Sequence, residues 1–214
     1  MPTKTPSLLS LTSKMPGASI GLSARDCITG SKLALIPGSV CFDCYALKGN
    51  YNFPVVKRAH AYRLSLLDDL DAFIERMVTE ITKVTTKSGV PYFRWHDSGD
   101  IQSVEHLLAI FEVCRRTPRV SHWLPSKEYG MVRQVQRQAK TDPLAVCPSN
   151  CTLRMSAVMI DGPPPVGFDN TTTVHRFVHH LPGIECLAHE NNNKCGDCRH
   201  CWDSTIKNIS YLKH

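Results

Sequence analysis

Three cysteines near the carboxyl terminus, Cys195, Cys198 and Cys201, are spaced at intervals of three residues. A loop with this spacing can wrap around a cuboidal iron–sulfur cluster, because the intervening backbone amides can donate hydrogen bonds to the sulfur atoms. Gly196 allows the backbone to approach closely, and Cys186 lies far enough upstream to return as the fourth thiolate. The segment therefore predicts a [4Fe-4S] site with these four cysteines as its ligands.

Zinc is the alternative metal for the same segment, because it also accepts four cysteines, usually as two separated Cys-x-x-Cys pairs. Here the run CGDCRHC places three cysteines together, which favours a cluster over a single tetrahedral ion. His189 and His200 could each replace a cysteine as a metal ligand. We expect both to be loop histidines that face solvent.

A second set of cysteines lies near the amino terminus, where Cys41 and Cys44 form a Cys-x-x-Cys pair downstream of Cys27. Three thiolates around a four-iron cluster leave one iron open to a substrate or cofactor, as in radical S-adenosylmethionine enzymes. Those enzymes have a much shorter gap between the first two cysteines. We predict that the three residues bind a second cluster. Buried free cysteines and a redox-active pair are the alternatives.

The other cysteines fit structural roles better. Cys114 lies on the apolar stripe of a predicted helix and is expected in the core. Cys147 and Cys151 flank a Pro-Ser-Asn sequence, and we expect them to be buried rather than to bind metal. The start of the chain has too short an apolar stretch for a secretory signal. Ten cysteines in such a chain indicate metal binding or catalysis more than disulfides.

Polar residues follow a predicted strand that is rich in aromatic side chains. His96, Asp97 and Asp100 are candidate catalytic residues, because function in parallel α/β sheets gathers at the carboxyl ends of strands. Ser98 and Gly99, in the same turn, are candidate cofactor-binding residues. They stand where the radical enzymes carry a glycine-rich acidic turn for the cofactor's amino group. Structurally, the two aspartates could instead cap the next helix while the histidine packs at the mouth of the sheet.

The elements that must position these residues alternate between strand and helix. Apolar spacings of three and four predict helical structure over residues 59–84, divided near Asp69, and further helices capped by Ser103 and Ser126. Strands are predicted at residues 19–24, 90–96, 119–124, 144–147, 152–160 and 172–179. A complete eight-unit barrel needs about 250 residues. We therefore expect an α/β fold with a partial (β/α) barrel or an open, mostly parallel sheet.

One domain is expected over residues 1–214. It would comprise a cysteine-bearing segment at 1–53, an α/β core at 54–180 and a cysteine-rich segment at 181–214. No apolar run reaches the roughly 18–20 residues of a membrane span. We therefore expect a cytoplasmic protein with no membrane partner. The net charge of +6 could favour nucleic acid as a partner, but the basic residues are scattered.

Three stretches of the chain resemble the phage gene product 88 family. They read GSVCFDCYALKGNY at residues 38–51, FRWHDSGD at 93–100 and NKCGDCRHCWD at 193–203. Members of this family occur in bacteriophages and prophages. The resemblance therefore implies a setting in the host cytoplasm and cluster binding, but it carries no established reaction.

Two functional hypotheses follow. In the first, the protein is similar to radical S-adenosylmethionine enzymes and performs one-electron redox chemistry at an open cluster iron, on a small-molecule or macromolecular substrate. S-adenosylmethionine is then a candidate cofactor. In the second, the cluster is structural or redox-sensing in a protein that binds nucleic acid or a host protein. The number of clusters, one or two, and the oligomeric state stay open.

Overall fold

One eight-stranded sheet organises the chain, and the computed structural model describes it through residues 5–177 and 182–213. The strands lie in the order β1-β2-β3-β4-β5-β6-β8-β7, with β1 and β7 at the edges. Only the pair β1–β2 is antiparallel. The expected α/β fold with an open, mostly parallel sheet is therefore confirmed. The strands are β1 (Ser10–Leu11), β2 (Ala18–Ile20), β3 (Tyr92–Trp95), β4 (Ser121–Ser126), β5 (Cys151–Ser156), β6 (Thr171–His175), β7 (Ile184–Glu185) and β8 (Asn208–Leu212).

Helices connect the parallel strands. The helix expected over residues 59–84 is divided as predicted: the Asp69 side chain caps the second part by accepting a hydrogen bond from Ala72 N at 3.0 Å. Ser103 caps the next helix in the same way. None of the helices in the described residues has the length and hydrophobicity that a bilayer crossing requires. The helices are α1 (Ile28–Leu33), α2 (Pro54–Ser65), α3 (Leu70–Ser88), α4 (Val104–Arg116) and α5 (Tyr129–Gln138).

The strand expected at residues 144–147 is wrong. Pro143–Ala145 instead form a turn of 3₁₀ helix, in which the Asp142 side chain accepts a hydrogen bond from Leu144 N at 2.9 Å. An aspartate followed by a proline is a strong start for a helical turn, and the apolar run behind it is too short to override this preference.

Other predicted boundaries fail as well: the strand expected at 19–24 is the shorter β2 (Ala18–Ile20), and the strand expected at 152–160 ends at Ser156. Ser126 ends β4 and does not cap α5, whose N-cap position is Glu128. Its hydroxyl accepts a hydrogen bond from Glu128 N at 3.0 Å, so it stabilises the loop instead. The last predicted strand, at 172–179, ends at His175, and its final two residues lie outside the described residues. Strand β8 was not predicted.

The two faces of the sheet are covered differently. Phe93 and Trp95 point to the face that α3 and α4 cover, where the main hydrophobic core forms. Arg94, between them, points to the opposite face. There Trp202, from the carboxyl-terminal segment, packs on Trp123 and donates an indole hydrogen bond to Phe93 O at 2.8 Å. The cysteine-rich tail is therefore part of the fold and covers the face that the helices leave open.

Candidate functional site

The loop that carries the amino-terminal cysteines is fixed across the carboxyl ends of β4 and β5. Glu128, just after β4, accepts hydrogen bonds from Thr29 N at 2.8 Å and Thr29 Oγ1 at 2.7 Å. These bonds hold the first turn of α1, whose N-cap position is Cys27. Val40 N donates to Val158 O at 2.9 Å beyond β5, which places the following Cys41 over the same edge of the sheet.

Cys27, Cys41 and Cys44 form one neighbourhood, named here the N-terminal thiol group. A Cβ atom on Gly30 would lie 2.9 Å from Cys27 Cβ, 3.4 Å from Cys27 Sγ and 3.7 Å from Cys41 Sγ, so the glycine leaves room beside both sulfurs. Burial, followed by negative charge on Asp100 and on the other two thiols, raises the pKa of Cys27 to about 12. The pKa of Cys41 is also raised, chiefly by burial.

Cys186, Cys195, Cys198 and Cys201 form a second neighbourhood, named here the C-terminal thiol group. Burial, together with negative charge on Cys186 and Cys195, raises the pKa of Cys201 to about 12. The Tyr211 hydroxyl, 3.2 Å from Cys201 Sγ, opposes this rise. Burial raises the pKa of Cys195, as do Cys186 and Cys198. All four cysteines therefore lie within electrostatic reach of one another.

A buried arginine on β5 positions the C-terminal thiol group. Arg154 is fully buried, and its guanidinium donates to the carbonyl oxygens of Cys201 at 3.0 Å, Ile206 at 2.9 Å, His200 at 2.9 Å and Asp203 at 2.6 Å. Four converging hydrogen bonds from one side chain fix the path of this segment across the sheet.

The segment before β2 holds the other end of the same group. Cys195 N donates a hydrogen bond to Lys14 O at 2.9 Å. Cys186 follows directly after β7, and its backbone N donates to Ser210 O on β8 at 2.8 Å. Three parts of the sheet that are distant in sequence therefore hold the four cysteines.

The thiols within each group are neighbours, but their side chains do not converge on one point in the described residues. Within residues 5–177 and 182–213, no three Cys, His, Asp or Glu side chains converge tightly enough to enclose one bare metal ion. Four thiolates on one zinc, each at 2.3 Å, have sulfur atoms about 3.8 Å apart. A four-iron cluster binds each thiolate at a different corner of a cube, so the sulfur atoms of its ligands must lie farther apart than those around zinc.

Three of the residues predicted to function after β3, namely Ser98, Gly99 and Asp100, make packing contacts and hydrogen bonds that fix this turn. Asp100 accepts hydrogen bonds from Ile101 N at 2.8 Å and Lys127 N at 2.9 Å, and burial raises its pKa to about 6 despite them. Ser98 Oγ donates to Leu22 O at 2.7 Å. Gly99 has φ +79°, and a Cβ atom there would lie 2.6 Å from Leu22 Cβ. Their contacts tie β3 to its neighbours, and the catalytic and cofactor roles stay predictions.

Asp97 and His96 differ in their access to the N-terminal thiol group. Asp97 Oδ2 accepts a hydrogen bond from Ser19 Oγ at 2.9 Å, and its backbone oxygen accepts one from Tyr45 Oη at 2.6 Å. Because Tyr45 follows Cys44, Asp97 borders the thiol loop directly. His96 is buried with φ +53°, and its Nδ1 has no partner in the described part of the chain. Burial lowers its pKa well below the usual value, so the ring is neutral.

The remaining cysteines form a third contact among themselves. Cys114 and Cys151 are buried in the core, as expected. Cys147 is exposed, contrary to expectation, because it lies in the loop that leads into β5. Its Sγ nevertheless donates to Cys151 O at 3.4 Å. The pKa of Cys147 is raised well above the usual value, first by interaction with the Cys151 side chain and then by desolvation, so the thiol is protonated at neutral pH.

Sequence reasoning missed the side chains that position both groups. Glu128 is a polar residue just after a strand, and nothing in the local sequence marks it as the partner of Thr29. Arg154 and Tyr211 lie on strands whose alternation of polar and apolar residues directs them to the opposite face. That alternation is a usable signal, because an arginine inside a strand needs buried acceptors.

Comparison with known proteins gives one family. No match was found for the chain among curated proteins or among solved structures. The family model described as gene product 88 matches residues 5–204, a range that includes both thiol groups. The likeness to radical S-adenosylmethionine enzymes stays a prediction. The chain belongs to the gene product 88 family.

Proposed function

We propose that this protein binds two iron–sulfur clusters, one in each thiol group. The observation that carries the proposal is the gathering of seven cysteines, from both ends of the chain, into two separate neighbourhoods. Burial is the largest cause of a raised pKa at Cys27, Cys41, Cys195 and Cys201, so these thiols keep their protons at neutral pH until a ligand displaces them. Iron in a cluster replaces them, because its ligands are thiolates.

The spacing of the thiols supports a cluster over zinc. In the N-terminal thiol group, Cys27 Sγ and Cys41 Sγ lie 3.4 Å and 3.7 Å from the position that a Cβ atom on Gly30 would take. The backbone of the C-terminal thiol group is held by the segment before β2, by β5 and by β8. In the described residues no three of these side chains converge tightly enough for one bare ion, which suits a cube of iron and sulfide, whose corners are spread, better than zinc.

The N-terminal thiol group supports a role in chemistry. A four-iron cluster held by three thiolates supplies one-electron transfer and an iron that is open to a substrate or cofactor. Asp97 and Tyr45 border this position at the carboxyl ends of the strands. Asp97 has the role of orienting a bound group, since one of its carboxylate oxygens bonds Ser19 and the other accepts none of the hydrogen bonds found in the described residues.

Metal analysis of anaerobically purified protein tests the proposal. Two [4Fe-4S] clusters give about eight iron and about eight acid-labile sulfide per chain. Cys41→Ala and Cys195→Ala should each remove about half of both. Cys147→Ser is the matched control, because it removes an exposed cysteine outside both groups and should leave the iron unchanged. Zinc without sulfide, or iron that neither alanine variant reduces, would refute the proposal.

Enzymatic activity needs a separate measurement. The reduced, cluster-loaded protein is incubated anaerobically with S-adenosylmethionine, and methionine and 5′-deoxyadenosine are measured. Formation of both, lost in Cys41→Ala and reduced in Asp97→Asn, is the result expected of a radical enzyme. Absence of both with full iron content would favour the structural or redox-sensing role. Salt-dependent binding of nucleic acid by the loaded protein then tests that role.

A further inference from the structure

Arg94 lacks the partners that a partly buried arginine normally has. It lies on β3 with its Cζ 4.4 Å from the centre of the Trp123 ring. Its Nη1 donates to Met15 Sδ at 3.4 Å, which is a weak acceptor. Its Nε is buried and has no acceptor within the described ranges. None of the ion pairs found in those ranges includes it.

The contacts of Arg94 direct it toward the C-terminal thiol group. Met15 follows Lys14, whose carbonyl oxygen accepts the hydrogen bond from Cys195 N. The charge of Arg94 also reaches Tyr211, whose hydroxyl lies 3.2 Å from Cys201 Sγ. The guanidinium therefore lies on the side of the sheet that carries this group, and its charge also reaches Cys195.

We propose that Arg94 is the counter-charge and hydrogen-bond donor for an anionic cluster in the C-terminal thiol group. The inference rests on the proposed function and assigns one residue of the chain to one of its two sites. A guanidinium with a buried, unbonded N–H is unfavourable, whereas charge-assisted hydrogen bonds to an anion are among the stronger polar contacts. A cluster with four thiolate ligands carries net negative charge and supplies such an acceptor.

This assignment has a consequence for electron transfer. Reduction adds a negative charge to the cluster, and a nearby positive charge stabilises the reduced state. Hydrogen bonds to the sulfurs act in the same direction. Arg94 therefore raises the reduction potential of the C-terminal cluster, and loss of its charge lowers that potential.

The test is a reduction titration followed by electron paramagnetic resonance. It is done in Cys41→Ala protein, so that the C-terminal cluster alone is observed. Arg94→Met and Arg94→Gln should shift the midpoint potential to more negative values, and Arg94→Lys should restore most of it. Arg133→Met is the control, because Arg133 also packs over an aromatic ring, that of Phe168, on another part of the fold.

Each possible outcome either supports or overturns the role inferred for Arg94. Neutral variants that keep iron and sulfide with an unchanged potential would overturn the inference, as would loss of the cluster in all three variants, lysine included. Loss in both neutral variants with retention in Arg94→Lys would support it, since charge is what the lysine shares. Wild-type protein without iron and sulfide would refute the proposed function itself, before any variant is compared.

Discussion

Replacing Arg154 by methionine should destabilise the protein strongly, because four backbone carbonyls depend on this one side chain. A hydrogen bond to a charged group contributes about 1.5–3 kcal/mol, and a buried carbonyl left without a donor costs about 1–3 kcal/mol. Burial disfavours the guanidinium charge, and its removal offsets part of this loss. A net loss of about 3–5 kcal/mol is the magnitude typical of broken buried networks.

Urea unfolding of the reduced, metal-free protein measures this loss. Tryptophan fluorescence is a suitable probe, because Trp202 lies in the segment that Arg154 holds and packs on Trp123. Arg116→Met is the control, because its ion pair with Glu75 is exposed to solvent and its loss should change the unfolding free energy little. Equal unfolding free energies for Arg154→Met and wild type, within about 1 kcal/mol, would refute the reasoning.

Two further predictions concern single side chains. Gly30→Ala puts a methyl group 2.9 Å from Cys27 Cβ and against the sulfurs of Cys27 and Cys41, and we expect the loss of about half of the bound iron. Gly130→Ala, with no heavy atom within 4 Å of the added carbon, should keep all of it; equal iron in both variants would contradict the assignment. His122 is buried, and its pKa is lowered to about 3. The unfolded chain binds a proton below about pH 6.5 that the folded protein does not, so stability falls between there and about pH 3, by about 1.4 kcal/mol per pH unit. His122→Gln should reduce the slope by this amount in urea unfolding of the metal-free protein from pH 7 to 4, whereas the buried His96 and His106, whose pKa values are also lowered, keep their own contributions. Identical slopes in the variant and wild type would argue against a neutral buried imidazole at residue 122.

Features that depend on local chemistry were predictable from the sequence. Asp69 and Ser103 were expected as caps, since their short side chains accept hydrogen bonds from amides three residues on. The parallel sheet was predictable because predicted strands and helices alternate along the chain. The strand expected at 144–147 failed, because a four-residue apolar run does not distinguish a strand from a turn once Asp142 can cap it.

Features that depend on tertiary contacts were not predictable in the same way. Spacing brings Cys195, Cys198 and Cys201 together, but the approach of Cys186 depends on β7 pairing with β8. The strand β8 had a usable signal: Ile209 alternates with polar neighbours and is buried on the opposite face. The acceptors of Arg154 had no such signal, because all four are backbone oxygen atoms some 50 residues away in the sequence.

The order of the strands explains how one short stretch of chain, residues 94–97, lies near both thiol groups. Strand β8 inserts between β6 and β7, which carries the cysteine-rich tail across the face opposite the helices. Arg94 points to this face from the middle of β3. His96, with its positive φ, then breaks the regular alternation of the strand, and Asp97 reaches the edge beneath the N-terminal thiol loop. Two residues three positions apart therefore lie toward different groups: Arg94 contacts Met15, beside the segment that holds Cys195, and Asp97 contacts Tyr45, beside Cys44. A cluster in each group would be linked through this one strand. A change of charge at Arg94 should consequently be felt first in the C-terminal cluster, and a change at Asp97 first in the N-terminal one.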